Sequence, residues 1–419
     1  MRSLIAIVAV MVVLCGIVRT ALAVEEGYAS PLAAWQNGPP KDAGYFPIAV
    51  WLQPAKYARQ LKDVGVNLVI GVWAGPNERH LADFEAAGMP IICHQTEAAL
   101  KDLDNPIIVG WLQKDEPDNA QTFDSFWQTL DRVNEAWPEA NRTREQWGTY
   151  GPPLPPKDII ASYREMVAND PTRPVYLNLG QGVAFHDYAG RGYRRYNIDD
   201  YMQYVKGCDI VSFDLYAYSF RDPKVSEKIW LIPFGVDNLH GWSRGERVVW
   251  NFVEATQVYR GGKKPTPDIT RAEVWMSIVH GSRGIIYYAH GQGPGGGDQE
   301  NALVSDTTMM AALKEINAQV RRLAPVINSP TVHNALAVEC SDPEVPVDAV
   351  VKQQGGATYV FAVCMRPKAT RATFRLKGLP AGAKIEVIDE GRTLTAEGGA
   401  FADDFGPYAV HLYRVTGGR

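Results

Sequence analysis

The sequence predicts an α/β fold, a (β/α)8 TIM barrel followed by a small C-terminal antiparallel β-sandwich. Three observations predict it. Apolar runs of strand character recur eight times, each followed by a segment of helical spacing, which is the signature of βα units around a parallel sheet. The eight units spread over roughly 300 residues, the size of a closed barrel rather than of an open doubly wound sheet. From about Val332 the pattern changes to short alternating strands separated by turn residues.

The first 23 residues, MRSLIAIVAVMVVLCGIVRTALA, stand apart. Arg2, a long apolar stretch and Ala21-Leu22-Ala23 make the pattern of a secretory signal, so the mature chain is expected to begin at Val24 and to be secreted or periplasmic. The apolar run is broken at Arg19 and falls short of the ~20 residues a spanning helix needs, so no membrane partner is expected. A formal net charge of −5 and the absence of any Lys/Arg run argue against a nucleic-acid partner. Of five cysteines, Cys15 leaves with the signal, and Cys93, Cys208, Cys340 and Cys364 show no CxxC or Cys/His spacing, which disfavours zinc. Cys340 and Cys364 end the strand-like runs NALAVEC and YVFAVC, and in an exported chain they read either as a disulfide or as two buried thiols.

The strand runs are FPIAVWL from Phe46, VNLVIGVW from Val66, MPIICHQ from Met89, IIVGWLQ from Ile107, VYLNLG from Val175, DIVSFDLYAY from Asp209, RVVWNFVE from Arg247 and GIIYYAH from Gly284. Between them lie AKYARQLKDVG, RHLADFEAAG, IDDYMQYVKG and TRAEVWMSIVHG, each ending on a glycine, the residue that commonly stops a helix. An insertion separates the fourth and fifth strands: FDSFWQTLDRVNEAW reads as one helix, YGPPLPPKD as a stiff loop and IIASYREMVAND as a second helix. MMAALKEINAQVRRLAPVI closes the barrel, and NALAVEC, AVVKQQ, ATYVFAVC, ATFRLKG, KIEVID and YAVHLYRV build the sandwich. The expected units are therefore a signal at 1–23, a barrel at 24–330 and an accessory domain at 331–419.

Functional groups of such a barrel gather at the C-terminal ends of its strands. The stretch GWLQKDEPDN puts Asp115 and Glu116 at the end of the fourth strand, and VVWNFVEATQ puts Glu254 at the end of the seventh. These strands lie on opposite sides of the mouth, so Glu116 and Glu254 are expected to face one another across a gap the size of a sugar. Cleavage of a glycosidic bond needs two such carboxyls, one protonated and one ionised. Each has a plainer reading as well: Glu116, followed by Pro117, as the acidic first turn of a helix, and Glu254 as an ion-pair partner. Asp214 and Tyr216 on the sixth strand, Asn178 and Gln181 after the fifth, His94 and Gln95 after the third, and Tyr288 and His290 after the eighth are placed to meet a substrate's hydroxyls. Trp51, Trp73, Trp111 and Trp250 sit on strands at or near the mouth, where an indole can stack on a pyranose; alternation turns some of the four outward to the helices, and Trp51 and Trp73, nearest their strand ends, are the expected pair.

With these positions the barrel, about residues 45 to 325, resembles the large clan of retaining (β/α)8 glycoside hydrolases, whose acid/base glutamate ends strand four and whose nucleophilic glutamate ends strand seven. The resemblance implies Glu116 as acid/base, Glu254 as nucleophile, Tyr216 as the residue that orients the nucleophile, and an oligo- or polysaccharide substrate with no cofactor and no metal. The chain departs from the clan in carrying Asp115 where an asparagine usually precedes the acid/base, and Tyr288 and His290 where a tryptophan often ends strand eight. A carboxylate at Asp115 would hold the pKa of Glu116 up.

HGQGPGGGDQEN contains GxGxxG from Gly291 to Gly296, but it follows the last strand rather than the first, so it reads as a mobile loop on the active-site face and not as a dinucleotide site. A metal-dependent barrel hydrolase could draw on His94, Asp115, Glu116, Asp214 and His290, yet FPIAVWL lacks the His-x-His such enzymes carry on strand one. The remaining alternative is a non-catalytic carbohydrate-binding barrel, which would keep its affinity after loss of either glutamate.

Overall fold

A computed structural model describes residues 30–292 and 298–416. The signal-like segment and the centre of the glycine cluster fall outside the described residues. The eight predicted strands are β1 (Ile48–Trp51), β2 (Leu68–Ile70), β3 (Ile91–Cys93), β4 (Ile108–Leu112), β5 (Val175–Leu179), β6 (Ile210–Phe213), β7 in two pieces (Val248–Val249 and Asn251–Glu254) and β8 (Ile285–Tyr288). All pair in parallel, and β1 pairs with both β2 and β8. The first piece of β7 pairs with β6 and the second with β8, while the Trp250 N–H between them donates to Val211 at 2.9 Å, so the sheet closes into a barrel.

Strands buried on both faces read as continuous apolar runs, and these do. Ala49, Trp51, Ile70, Ile92, Leu112, Tyr176, Trp250 and Phe252 fill the interior, while Ile48, Val50, Val69, Ile91, Ile108 and Val253 meet the surrounding helices. Trp111 takes the outward side, its Nε1 donating to Asp170 at 3.0 Å.

Three local expectations change. FDSFWQTLDRVNEAW is not one helix: a π-helical turn, Phe123–Trp127, stops at Gln128, which has φ 67°, and Thr129 then caps a new helix, Leu130–Ala136. The N-capping threonine offers the backbone an alternative that the apolar spacing conceals. IDDYMQYVKG breaks into three short turns, Ile198–Asp200, Tyr201–Tyr204 and Val205–Gly207. No helix starts at Glu116, so the acidic first turn proposed for DEPD is absent and the segment is an irregular turn.

After the helix Thr307–Asn328 the chain forms two antiparallel sheets. One joins Leu336–Cys340, Thr370–Leu376 and Ala400–Phe405, and the other joins Val347–Gln354, Ala357–Cys364, Val410–Thr416, Lys384–Val387 and Arg392–Thr395. Phe374, Phe401, Phe405 and Tyr413 pack between them. The outer face of the larger sheet lies on the barrel helix Pro267–Val279, with Phe361 edge-on to Trp275 at 5.2 Å. A helix covered on both sides has no need of a polar stripe, and Val274, Trp275, Met276, Ile278 and Val279 are all buried. Cys340 and Cys364 are free thiols in the structure, and Cys364 Sγ faces the carbonyls of Arg366 and Lys368. No helix among the described residues is long and apolar enough to cross a membrane.

Candidate active site

Beyond β4, Gln113 points to the same side as Trp111, toward the surrounding helix Pro156–Asn169, and fixes the chain. Its amide nitrogen donates to the Ile159 carbonyl at 3.0 Å and its oxygen accepts from Ser162 at 3.1 Å. The next residues project over the barrel mouth. Glu116 sits in the left-handed region at φ 42°, held there by its N–H on the Asn178 carbonyl (3.1 Å) and by its own carbonyl accepting from Asn119 (3.1 Å). A non-glycine residue in that region is strained, and such strain persists where surrounding structure imposes it. Asp118, fully buried, ties this turn to the loop after β5 by accepting from Gly180 N–H (2.8 Å) and the Tyr201 hydroxyl (2.9 Å).

The turn opens on a cavity of about 330 Å³ lined by Trp51, Trp73, Asp115, Glu116, Asn178 and Asp214, together with Tyr216, Tyr288 and His290. Gln181, named with Asn178, also lines it, its amide nitrogen on the Tyr259 hydroxyl at 2.6 Å. Trp111 and Trp250 do not, and both are core residues. His94 lies elsewhere, its Nδ1 against the Leu112 carbonyl at 3.0 Å, and the Gln95 amide nitrogen serves the Met166 carbonyl at 2.9 Å.

Glu254 departs most from expectation. Its position on β7 is the predicted one, but it is fully buried and lines no part of the cavity. The segment after β6 folds over it: Tyr218 N–H (2.5 Å), Ser219 N–H (3.0 Å) and Ser219 Oγ (2.5 Å) all donate to its carboxylate. Behind it, its own N–H donates to buried Glu273 at 2.8 Å. The carboxyl that faces Glu116 is instead Asp214, at the end of β6 and in hydrogen-bonding contact with it.

The electrostatics follow from this crowding. Burial and then the negative charge of Asp214 push Glu116 well above the usual carboxylate range. Burial raises Asp214 too, to about 7, against the hydrogen bond with Glu116 that lowers it, so the two crowded carboxyls share one proton when the pair is singly ionised. The Tyr216 hydroxyl is a second donor beside Asp214, and it lowers the Asp214 pKa as the Glu116 contact does. Burial also raises Asp115, to about 6, against the Asn178 amide that donates to it at 3.1 Å. That amide is oriented in turn, because Ser212 Oγ donates to Asn178 Oδ1 at 2.8 Å and shares a 2.5 Å hydrogen bond with Tyr176.

Several wall residues were not anticipated: Leu52, Tyr188, Phe252, Val258 and Tyr259. Phe252 carried a signal, since it alternates with Glu254 on the same strand. Tyr188 and Tyr259 come from irregular loops with no periodicity to mark them. Tyr216 is wedged among Tyr288 (4.7 Å), Phe252 (6.2 Å) and Tyr259 (6.2 Å), so one wall is continuous aromatic surface. No Lys or Arg is among the lining residues.

No protein-family model matches the sequence, and neither does any curated protein. Among solved structures the chain is similar to Gan42B, a GH42 β-galactosidase from G. stearothermophilus, at 9% identity and TM-score 0.56 over 93% of this chain and 100% of that one. It is also similar to AmyP in complex with maltotriose, at 9% identity and TM-score 0.51 over 87% of this chain and 90% of that one. At such identity the likeness shows the architecture, a (β/α)8 barrel carrying a C-terminal β domain.

Proposed function

We propose that the protein is an exported glycoside hydrolase, with its catalytic site on the barrel (24–330), 331–419 as an accessory domain, and Glu116 as its general acid. The observation that carries this is the Glu116–Asp214 pair, one proton between two carboxyls, in a cavity walled by aromatic rings and amides and free of cationic side chains. Such walls suit a neutral polyhydroxylated ligand: rings stack on its faces, while carboxylates and amides bind its hydroxyls. The solved structures with this architecture include a β-galactosidase and a complex with maltotriose, which agrees with a carbohydrate substrate. Export rests on the signal-like first 23 residues.

In this reading Glu116 protonates the departing glycosidic oxygen and Asp214, as the ionised partner, attacks or stabilises the anomeric carbon. Asp214 replaces Glu254 in that role because Glu254 has given its carboxylate to Tyr218 and Ser219. Carboxyls in direct contact leave no place for a water between them and must part to admit a sugar. That spacing lies nearer the ~5–5.5 Å of retaining enzymes than the ~6.5–9.5 Å of inverting ones. The test is hydrolysis of a panel of aryl glycosides, with proton NMR of the first-formed sugar expected to show retention. Glu116→Gln and Asp214→Asn should each lower kcat by at least about 10²-fold. With azide, Glu116→Ala should yield the azide of retained configuration and Asp214→Gly the inverted one. An inverted azide from Glu254→Gly instead would return the nucleophile to strand seven, and a panel with no turnover would reject the enzyme reading.

A further inference from the structure

Beside the cavity that holds the carboxyls lies a second, of about 460 Å³, and the two share Leu52 and Trp73. The polar part of its wall includes Gln53, Asn77 and His80 together with two cations, Lys56 and Arg79, and two acids, Asp83 and Glu300. Trp73 stands at the junction, 55% exposed, with its ring edge-to-face against His290 at 5.9 Å. An exposed indole at a barrel mouth could be incidental, but the loop beneath this one is fixed. Thr96 Oγ1 donates to the Pro76 carbonyl at 2.6 Å, and Asn77 and His80 cap the following helix reciprocally, at 3.0 and 3.4 Å. A ring presented on rigid backbone loses little freedom when a ligand covers it.

A second observation points the same way. Gln53 is 1% exposed, and its amide nitrogen is held by the Glu300 carbonyl at 2.9 Å, yet its Oε1 has no donor. In the first cavity Gln181 shows the same pattern, nitrogen on Tyr259 and Oε1 without a donor. A buried acceptor left unpaired is destabilising, and a ligand rich in hydroxyls removes that penalty at both places. The cations of the second cavity are already matched, Lys56 by Glu300 at 2.8 Å and Arg79 by Asp83 at 3.8 Å, so it makes no demand for an acidic group.

We infer that the substrate is a chain of neutral sugar units long enough to occupy both cavities, stacking on Trp73 where it passes between them and donating a hydroxyl to Gln53 in the second. This rests on the glycosidase reading and adds a second binding place, at Gln53 beyond Trp73, that makes longer chains better substrates than single glycosides. A monosaccharide glycoside fills the first cavity and leaves Gln53 unused.

The experiment compares kcat/KM for 4-nitrophenyl monoglycosides with that for linear hexasaccharides of glucose, galactose, mannose and xylose, in the wild type and in Gln53→Ala. The hexasaccharide of the sugar that is cleaved should be preferred by at least about tenfold. Gln53→Ala should remove about tenfold of its kcat/KM, chiefly through KM, and leave the aryl monoglycoside within about twofold. Equal rates on both substrates, or a hexasaccharide rate indifferent to Gln53, would overturn the inference while leaving the hydrolase intact. Binding of the same hexasaccharides to Glu116→Gln, followed by tryptophan fluorescence, separates the two readings. Binding weakened by adding Gln53→Ala, in a wild type with no turnover, would keep the second cavity and reject the enzyme, and absence of both binding and turnover would reject both.

Discussion

At Glu116 and Asp214 the decisive quantity is one proton. In the proposed mechanism the competent form is the singly ionised pair, so kcat/KM should rise with pH as the pair loses its first proton, near the value of about 7 at Asp214, and fall as it loses the second. Asp115 stands beside both, and its charge raises both. Replacing it as Asp115→Asn should therefore move both limbs of the profile to lower pH, whereas a profile that did not move would place the Asp115 charge out of reach of the pair. This neighbourhood was legible in the sequence as far as strand counting goes: Asp115, Glu116, Asn178, Asp214, Tyr216, Tyr288 and His290 were found because barrel chemistry sits at strand ends. Which of two strand-end acids faces the cavity was not legible. That depends on Tyr218 and Ser219 folding over Glu254, a closure made by two backbone N–H groups, which leave no residue pattern, and by one serine hydroxyl, which on its own marks nothing.

At the scale of the element, the strands declared themselves through unbroken apolar runs, whereas the insertion after β4 did not, because its helix is divided by a left-handed Gln128 that spacing alone cannot reveal. What fixes β4 against β5 was equally hidden. Asp170, just past the helix Pro156–Asn169, accepts from Trp111 Nε1 (3.0 Å), Thr172 N–H (2.8 Å) and Arg173 Nη1 (2.8 Å). Arg173 spends its other donors on the carbonyls of Ile108 (2.6 Å), Leu103 (2.7 Å) and Asn105 (3.1 Å). Both side chains are within 3% of full burial. Removing one partner of a buried pair leaves an uncompensated charge, so Asp170→Ala should destabilise the protein by about 3–5 kcal/mol, read as a lower urea midpoint. A loss below about 1 kcal/mol would mean that the backbone carbonyls alone satisfy the guanidinium.

Over the whole molecule the question is what the C-terminal sandwich does for the barrel. It supplies no wall of either cavity, but it covers the apolar helix Pro267–Val279 and locks onto it through His280. The ring lies between Asp237 of the barrel helix Leu231–Ser243, 2.9 Å from Nδ1, and Asp348 of the sandwich strand Val347–Gln354, 3.1 Å from Nε2. Burial works against its charge, but the two carboxylates outweigh burial and raise its pKa from 6.5 to about 9. A folded-state value above the unfolded one means that the stabilisation is complete below about pH 6.5 and is lost as pH rises through about 9. The shift corresponds to at most about 3 kcal/mol, less in practice because Asp237 is half-exposed. Thermal denaturation between pH 6 and pH 9.5 should therefore show a fall in Tm for the wild type that is much smaller in His280→Gln, with Asp348→Asn intermediate because one carboxylate remains. Equal falls in all three would show that His280 is neutral between its two acids and that the apolar contact of Trp275 with Phe361 holds the sandwich without it.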